Sequence, residues 1–429
     1  MSISKNEIIK KVSSFIESLQ NIEDNSSVQE FELFFSIVDE GTLLLSGDDA
    51  KNYRETLRSL IEFVKDETIS QKGIEDLFQK TILSVIDIKE KRKEKTFDQR
   101  LKEALNDLIK SLTATPIAFK VFYPVHGLVI DNSSIHVGNV QFCRFNDYSL
   151  RVFTKLLESG DGDDNDKKIK AYITDQIKET EINGKPVGLI TVKAVDPEAA
   201  KLLALKELSI TLDVINFFSD LVPYQKGCIY LPGDSERLAI DILVISEGEN
   251  PKWTFGKSVV GQIMPFSFSK LLEADKKQKL GFRKVNKLLG KKRNGLEDKL
   301  ISAMQWAGKA TVERRKEESF LLYAISLESL VLADNEKDEL KYRLRQRVVH
   351  LISKKDKESR ERVFQKAGEL YDIRSKIVHS GDYQVTDADL SLMRYYSKSC
   401  ILRILNKKPF STMESVDSLV KWFNRKILG

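Results

Sequence analysis

Apolar residues in the first part of the chain recur three and four positions apart. Ile8, Ile9, Val12, Phe15, Ile16 and Leu19 make one stripe. Phe31, Leu33, Phe34, Ile37 and Val38 make a second, and Leu57, Leu60, Ile61 and Val64 a third. That period predicts helix, so residues 1–113 are expected to form an N-terminal helical region. The charged stretch Lys89–Lys95 within it is expected to be a solvated helix face or a junction.

The period changes at Thr115-Pro116. Residues 117–125 and 134–145 are rich in β-branched and aromatic side chains, with turns at Gly127, Asn132 and Gly138, and they predict strands. Further strands are expected at Gly184–Val192, Gly227–Leu231 and Leu238–Ser246. Helices are expected at Tyr148–Glu158 and Pro197–Leu221. Residues 114–275 therefore read as a mixed α/β middle domain. Helical patterning returns over Ser267–Ala274, Leu296–Ala310, Glu317–Ala333, Asp338–Ser353, Ser359–Ser380, Thr386–Leu405 and Val416–Leu428, so residues 276–429 read as an all-α bundle. Gly368 sits inside one of these helices as a mild blemish. The fold class expected is α+β, mostly helical.

The chain has 429 residues, of which 41% are hydrophobic, enough for two or three domains with real cores. No apolar stretch is long enough to span a bilayer, and the first residues form no signal sequence, so no membrane association is expected. Cys143, Cys228 and Cys400 are widely spaced, which argues against a disulfide framework or zinc spacing and for a reducing, cytoplasmic setting. The acidic segment Gly160–Asp166 is expected to be a solvated loop. Counting from Asp161, the twelfth position of a calcium loop is Tyr172, where a bidentate glutamate is needed. The tract Phe255-Gly256-Lys257-Ser258 is similar to the end of a P-loop, but Pro251 stands where the first glycine is required. No metal and no cofactor is expected.

Charge is unevenly distributed. Residues 276–429 hold 35 Lys and Arg against 20 Asp and Glu, a balance of +15. The remainder holds 34 against 44, a balance of −10. The basic part is expected to meet a polyanion, or the two parts to attract each other. The run Lys276, Lys277, Lys279, Arg283, Lys284, Lys287, Lys291, Lys292 and Arg293, with Phe282 interleaved, is either a solvated face or a phosphate-binding surface.

One short string carries candidate chemistry. Arg374 and His379 stand five residues apart near a helix end that Ser380-Gly381 would cap. In a last helical turn the macrodipole favours protonated histidine. Five residues turn a helix by about 140°, so the two side chains do not share a face. They must converge by distortion at the helix end or meet a symmetry mate. Read from spacing alone, His379 is a capping or surface group.

The string Tyr371-Asp372-Ile373-Arg374-Ser375-Lys376-Ile377-Val378-His379-Ser380-Gly381 resembles the R-x4–6-H signature of the HEPN superfamily, in particular its ApeA-like branch. Phe320–Leu330 resembles the family's earlier long helix and Tyr342–Val349 its middle helix, so the resemblance covers residues 296–410. Ser375 stands where family members often carry Asn, Asp or His. The resemblance implies a metal-independent endoribonuclease acting on RNA as a homodimer. The ribose 2′-OH would attack the adjacent phosphate, with His379 as acid/base and Arg374 as phosphate clamp. Tyr371 would pack near the site or contact RNA. Glu328 would either pair with Arg374 or be exposed. The ApeA-like branch further implies an effector or toxin of prokaryotic antiviral defence, with a protein or phage-derived trigger acting through residues 1–275. The rival expectation is a catalytically inactive HEPN-like module for dimerisation and nucleic-acid binding.

Overall fold

The computed structural model describes residues 3–19, 33–37, 41–45, 47–64, 66–86, 95–130, 134–145, 186–222, 229, 239–245, 253–259, 266–333, 339–354, 356–380 and 384–428. The expected helix Tyr148–Glu158, the acidic segment 160–166, Gly381 and most of Lys89–Lys95 and Gly227–Leu231 lie outside them. The fold is α+β and mostly helical. No described helix is long and apolar enough to cross a membrane. The chain forms two compact units, Met1–Val121 with Thr191–Lys206 and Phe122–Ile190 with Glu207–Gly429.

In the first unit, helices α1 (Lys5–Leu19), α2 (Gly47–Val64), α3 (Gln71–Val85) and α4 (Phe97–Leu112) bury their apolar stripes together. Tyr53 stacks on Phe78 at 5.2 Å between ring centroids, and Phe15 meets both rings. Local signals set the helix starts: Ser70 caps α3, and Thr96 forms a capping box with Gln99 on α4. Asp196 accepts hydrogen bonds from the Ser70 N–H and hydroxyl and from the Ala199 N–H, tying the start of α3 to the start of α5 (Pro197–Ser219).

The helix expected around Phe31–Val38 is overturned. Strands β1 (Leu33–Ile37) and β2 (Gly41–Leu45) pair antiparallel, from Leu33↔Leu45 to Ile37↔Gly41. A five-residue apolar run fits either period. What decides is a second short run within hairpin reach, opened by a glycine.

A four-stranded sheet has the order β3-β7-β6-β5, from β3 (Ile117–Pro124), β5 (Ile135–Val137), β6 (Val140–Arg144) and β7 (Pro186–Ala194), with β5 and β6 wholly in the second unit. The chain passes between the units along β3, β7 and α5. Gly138, at φ +57°, makes the β5–β6 turn that its sequence position suggested. Strand β4 (Leu128–Val129) pairs in parallel with β10 (Phe266–Ser267). Strands β8 (Ala239–Ile245) and β9 (Trp253–Val259) form an antiparallel pair. The Phe255–Ser258 tract thus lies in a strand, a location its sequence did not suggest.

The helices that follow are α6 (Phe268–Gln278), α7 (Phe282–Leu289), α8 (Gly295–Val312), α9 (Lys316–Val331), α10 (Leu340–Ile352), α11 (Lys357–Ser380), α12 (Asp387–Asn406) and α13 (Val416–Leu428). The glycines that interrupt the basic run, Gly281 and Gly290, bound α7. Its Phe282, Val285 and Leu289 are buried, so the run is an amphipathic helix with its charges outward. Phe282 meets Phe218 of α5 and Phe268 of α6 edge-on at 5.2 and 5.4 Å. Gly308 lets α8 cross α5 in backbone contact: a Cβ there would lie 1.8 Å from the Asp213 carbonyl oxygen. Within the bundle the Ser326 hydroxyl donates to Ala303 O at 2.7 Å and lies 2.9 Å from the Ser397 hydroxyl, joining α8, α9 and α12.

Candidate active site

Arg374 and His379 stand on one continuous helix, α11. Apolar residues Ala367, Leu370 and Ile373 turn one face of α11 into the bundle, and Arg374 follows that face round to its edge. There it meets α9. The Arg374 Nη2 donates to Glu328 Oε2 at 3.1 Å, and Nε lies 3.0 Å from Oε1. The Arg374 side chain is 27% exposed and that of Glu328 20%. Of the two alternatives for Glu328, pairing is the one found. Burial lifts its carboxyl above the ordinary range, while the Arg374 cation pulls the other way.

Tyr371, Arg374 and Glu328 line a small gap with Leu344, Met393 and Tyr396, with room of about 10 Å³, roughly one water. Tyr371 thus packs beside the arginine, and Ser375 is half-buried. His379 is elsewhere. It is exposed in the last turn, with no hydrogen bond or ion pair to any described residue. The next residue, Ser380, bonds its hydroxyl back to Lys376 O at 2.5 Å. The helix stays regular to its end, so distortion does not bring Arg374 and His379 of one chain together. The structure unites Arg374, Glu328 and Tyr371 and leaves His379 apart.

The basic run also divides. Lys277 pairs with Glu273, Lys291 with Glu297 and Arg293 with Asp298, each at 2.6–2.7 Å. Glu297 is in addition the capping-box residue of α8. Lys276, Arg283, Lys287 and Lys292 are exposed without a carboxylate partner among the described residues. Lys284 reaches neutral acceptors, Leu405 O and Asn406 Oδ1, both at 3.4 Å.

A titratable cluster went unnoticed in the sequence. Lys398 of α12 is 5% exposed and contacts Asp220, which also holds Arg394. Its ammonium lies 5.4 Å from the Phe217 ring centroid and 5.8 Å from that of Tyr323, and burial brings its pKa down to about 8. The local sequence, Ser397-Lys398-Ser399, reads as a solvated turn of helix. Only the arrival of Asp220, 178 residues away, marks it as buried. Gly368 also finds its reason: a Cβ there would sit 2.9 Å from Arg345 Nε, whose guanidinium stacks on Phe364. His350 is half-buried beside Trp422, and burial holds its pKa below the ordinary value.

Among the described residues, no three His, Cys, Asp or Glu side chains gather as metal ligands would. Comparison of the chain with family models, curated proteins and solved structures returned no match to any of them.

Proposed function

We propose that the chain is a metal-independent endoribonuclease of HEPN type, working as a cytoplasmic homodimer with Arg374 and His379 as its chemical groups. The reading starts from the resemblance of residues 296–410 to ApeA-like proteins. The observation that carries it is the placement along α11: Arg374 is steadied on one guanidinium edge by Glu328, and His379 stands exposed at the helix end. A guanidinium has five N–H donors in a fixed fork, so the edge away from Glu328 is left for a phosphate oxygen. An exposed imidazole can take a ribose hydroxyl proton. Because the two groups of one chain diverge, a site containing both draws them from α11 of two copies around a two-fold axis.

In that site O2′ attacks phosphorus as His379 accepts its proton. The bond from phosphorus to O5′ then breaks, O5′ takes a proton from water, and His379 returns its proton to solvent. The products are a 2′,3′-cyclic phosphate and a 5′-hydroxyl, and Arg374 stabilises the phosphorane charge. Residues 1–275 would sense a protein or phage-derived trigger in antiviral defence.

The test is cleavage of mixed RNA by the full chain in EDTA. His379→Ala and Arg374→Ala should each lower the rate by about a hundredfold or more, with circular dichroism confirming the fold. Cleavage that survives both changes, or that needs a divalent metal, overturns the proposal. A second reading, a non-catalytic dimerisation and nucleic-acid-binding module, draws support from the divergence of Arg374 and His379 and from the unpaired cations of the basic run. It predicts RNA binding without cleavage.

A further inference from the structure

An open cleft of about 790 Å³ lies between the α6–α7 junction, the end of α10 and the C-terminal half of α12. Five cations line it: Lys279, Arg283 and Lys284 from the junction, and Arg403 and Lys407 from α12. None has a carboxylate partner among the described residues, in contrast to Lys277, Lys291 and Arg293 outside it. The one carboxylate in the lining, Asp275, is 7% exposed and accepts from the backbone N–H groups of Gly281, Phe282 and Arg283, so it belongs to the start of α7. The C-terminal ends of α6, α10 and α12 account for some of this charge. Each carries only about half a unit of negative charge, which together falls short of five cations. The floor is apolar, from Leu280, Leu351 and Leu402, and Tyr395 stands at the cleft 58% exposed. Tyr395 adjoins Tyr396, which faces the Arg374–Glu328 gap, so α12 serves both places.

We infer that this cleft binds single-stranded RNA, its cations tracking the phosphates and Tyr395 stacking on a base. Unneutralised charge beside an exposed aromatic and an apolar floor is the composition that single strands require. A duplex hides its base faces and would leave Tyr395 and the floor unused. That the strand is RNA rests on the ribonuclease reading; the cleft itself does not.

The test uses the full chain with His379→Ala, to keep the strand intact, and a fluorescein-labelled oligouridine of about 12 nucleotides, read by anisotropy over a salt series. Arg403→Gln with Lys407→Gln should weaken binding and flatten the log–log salt slope by about 1.4, two phosphate contacts at roughly 0.7 each. Tyr395→Ala should cost about fivefold or more in affinity and leave the slope unchanged. Removing the same charge outside the cleft, at Lys421 and Arg425 of α13, should change affinity by less than about twofold. The inference fails if that control loses as much as the cleft variant, or if Tyr395→Ala binds like its parent. It also fails if duplex RNA or an acidic peptide competes as well as the single strand. Should the cleft variants lose binding while unsubstituted protein cleaves nothing, the ribonuclease reading falls and the cleft stands. Should the protein cleave RNA while the cleft variants bind and cleave normally, the cleft falls alone.

Discussion

Replacing Glu328 by glutamine removes a charge from the ion pair that holds Arg374 and preserves its shape. At 3.0 Å and an effective dielectric of about 20, the lost attraction is about 5 kcal/mol before any compensation. Against it stands the cost of keeping a carboxylate 20% exposed, which is several kcal/mol for a buried ion. The balance is visible in the carboxyl itself. Its pKa lies above the ordinary 4.5, with burial the largest cause and Arg374 opposing, so the fold favours the neutral carboxyl more than water does. Glutamine resembles that neutral form. Glu328→Gln should therefore leave stability near neutral pH within about 1 kcal/mol of the parent, or slightly raise it. The pH dependence has a fixed sign. Between 4.5 and the raised value the folded state holds a proton that the unfolded state has released, so this group makes stability fall as pH rises. The parent should lose ground to the variant on going from mildly acidic to neutral pH. Urea midpoints of both proteins at the two pH values measure this directly. A loss exceeding about 2 kcal/mol at neutral pH would show that the ion pair outweighs the burial, and the reasoning would be wrong.

Lys398 gives the alkaline counterpart. Its pKa is about 8 in the fold against 10.5 for the free side chain, so in that window the unfolded chain binds the extra proton and stability rises with pH, by at most about 3 kcal/mol. In Lys398→Met the difference in urea midpoint between about pH 8 and 9.5 should shrink; an unchanged difference would place the ammonium in solvent. Gly308→Ala drives a Cβ to 1.8 Å from a backbone oxygen that no rotamer can move, and should cost at least about 3 kcal/mol. A thermal shift corresponding to less than about 1 kcal/mol would mean that α5 and α8 are not in backbone contact.

Much of the helical architecture is legible in the sequence because its determinants are local. Helical stripes placed α1 and α8 to α13 within a few residues, since each stripe must face a core. Asn294-x-x-Glu297 and Thr386-x-x-Asp389 mark the starts of α8 and α12 as capping boxes, and Gly281 and Gly290 bracket α7. The sequence also bore the awkward step from Arg374 to His379, because 3.6 residues per turn is a property of the backbone and not of the partners. Tertiary structure decided what depends on which segments meet. Leu33–Ile37 became a strand because Gly41–Leu45 was there to pair with it. Glu328 took Arg374, and Asp220 took Lys398, across 46 and 178 residues. The basic run looked uniform until the fold supplied carboxylates to some of its members and joined others to Arg403 and Lys407 around one cleft. Charge along a chain is a sum over residues. Whether a given charge is free to bind depends on distances to neighbours that only folding brings together.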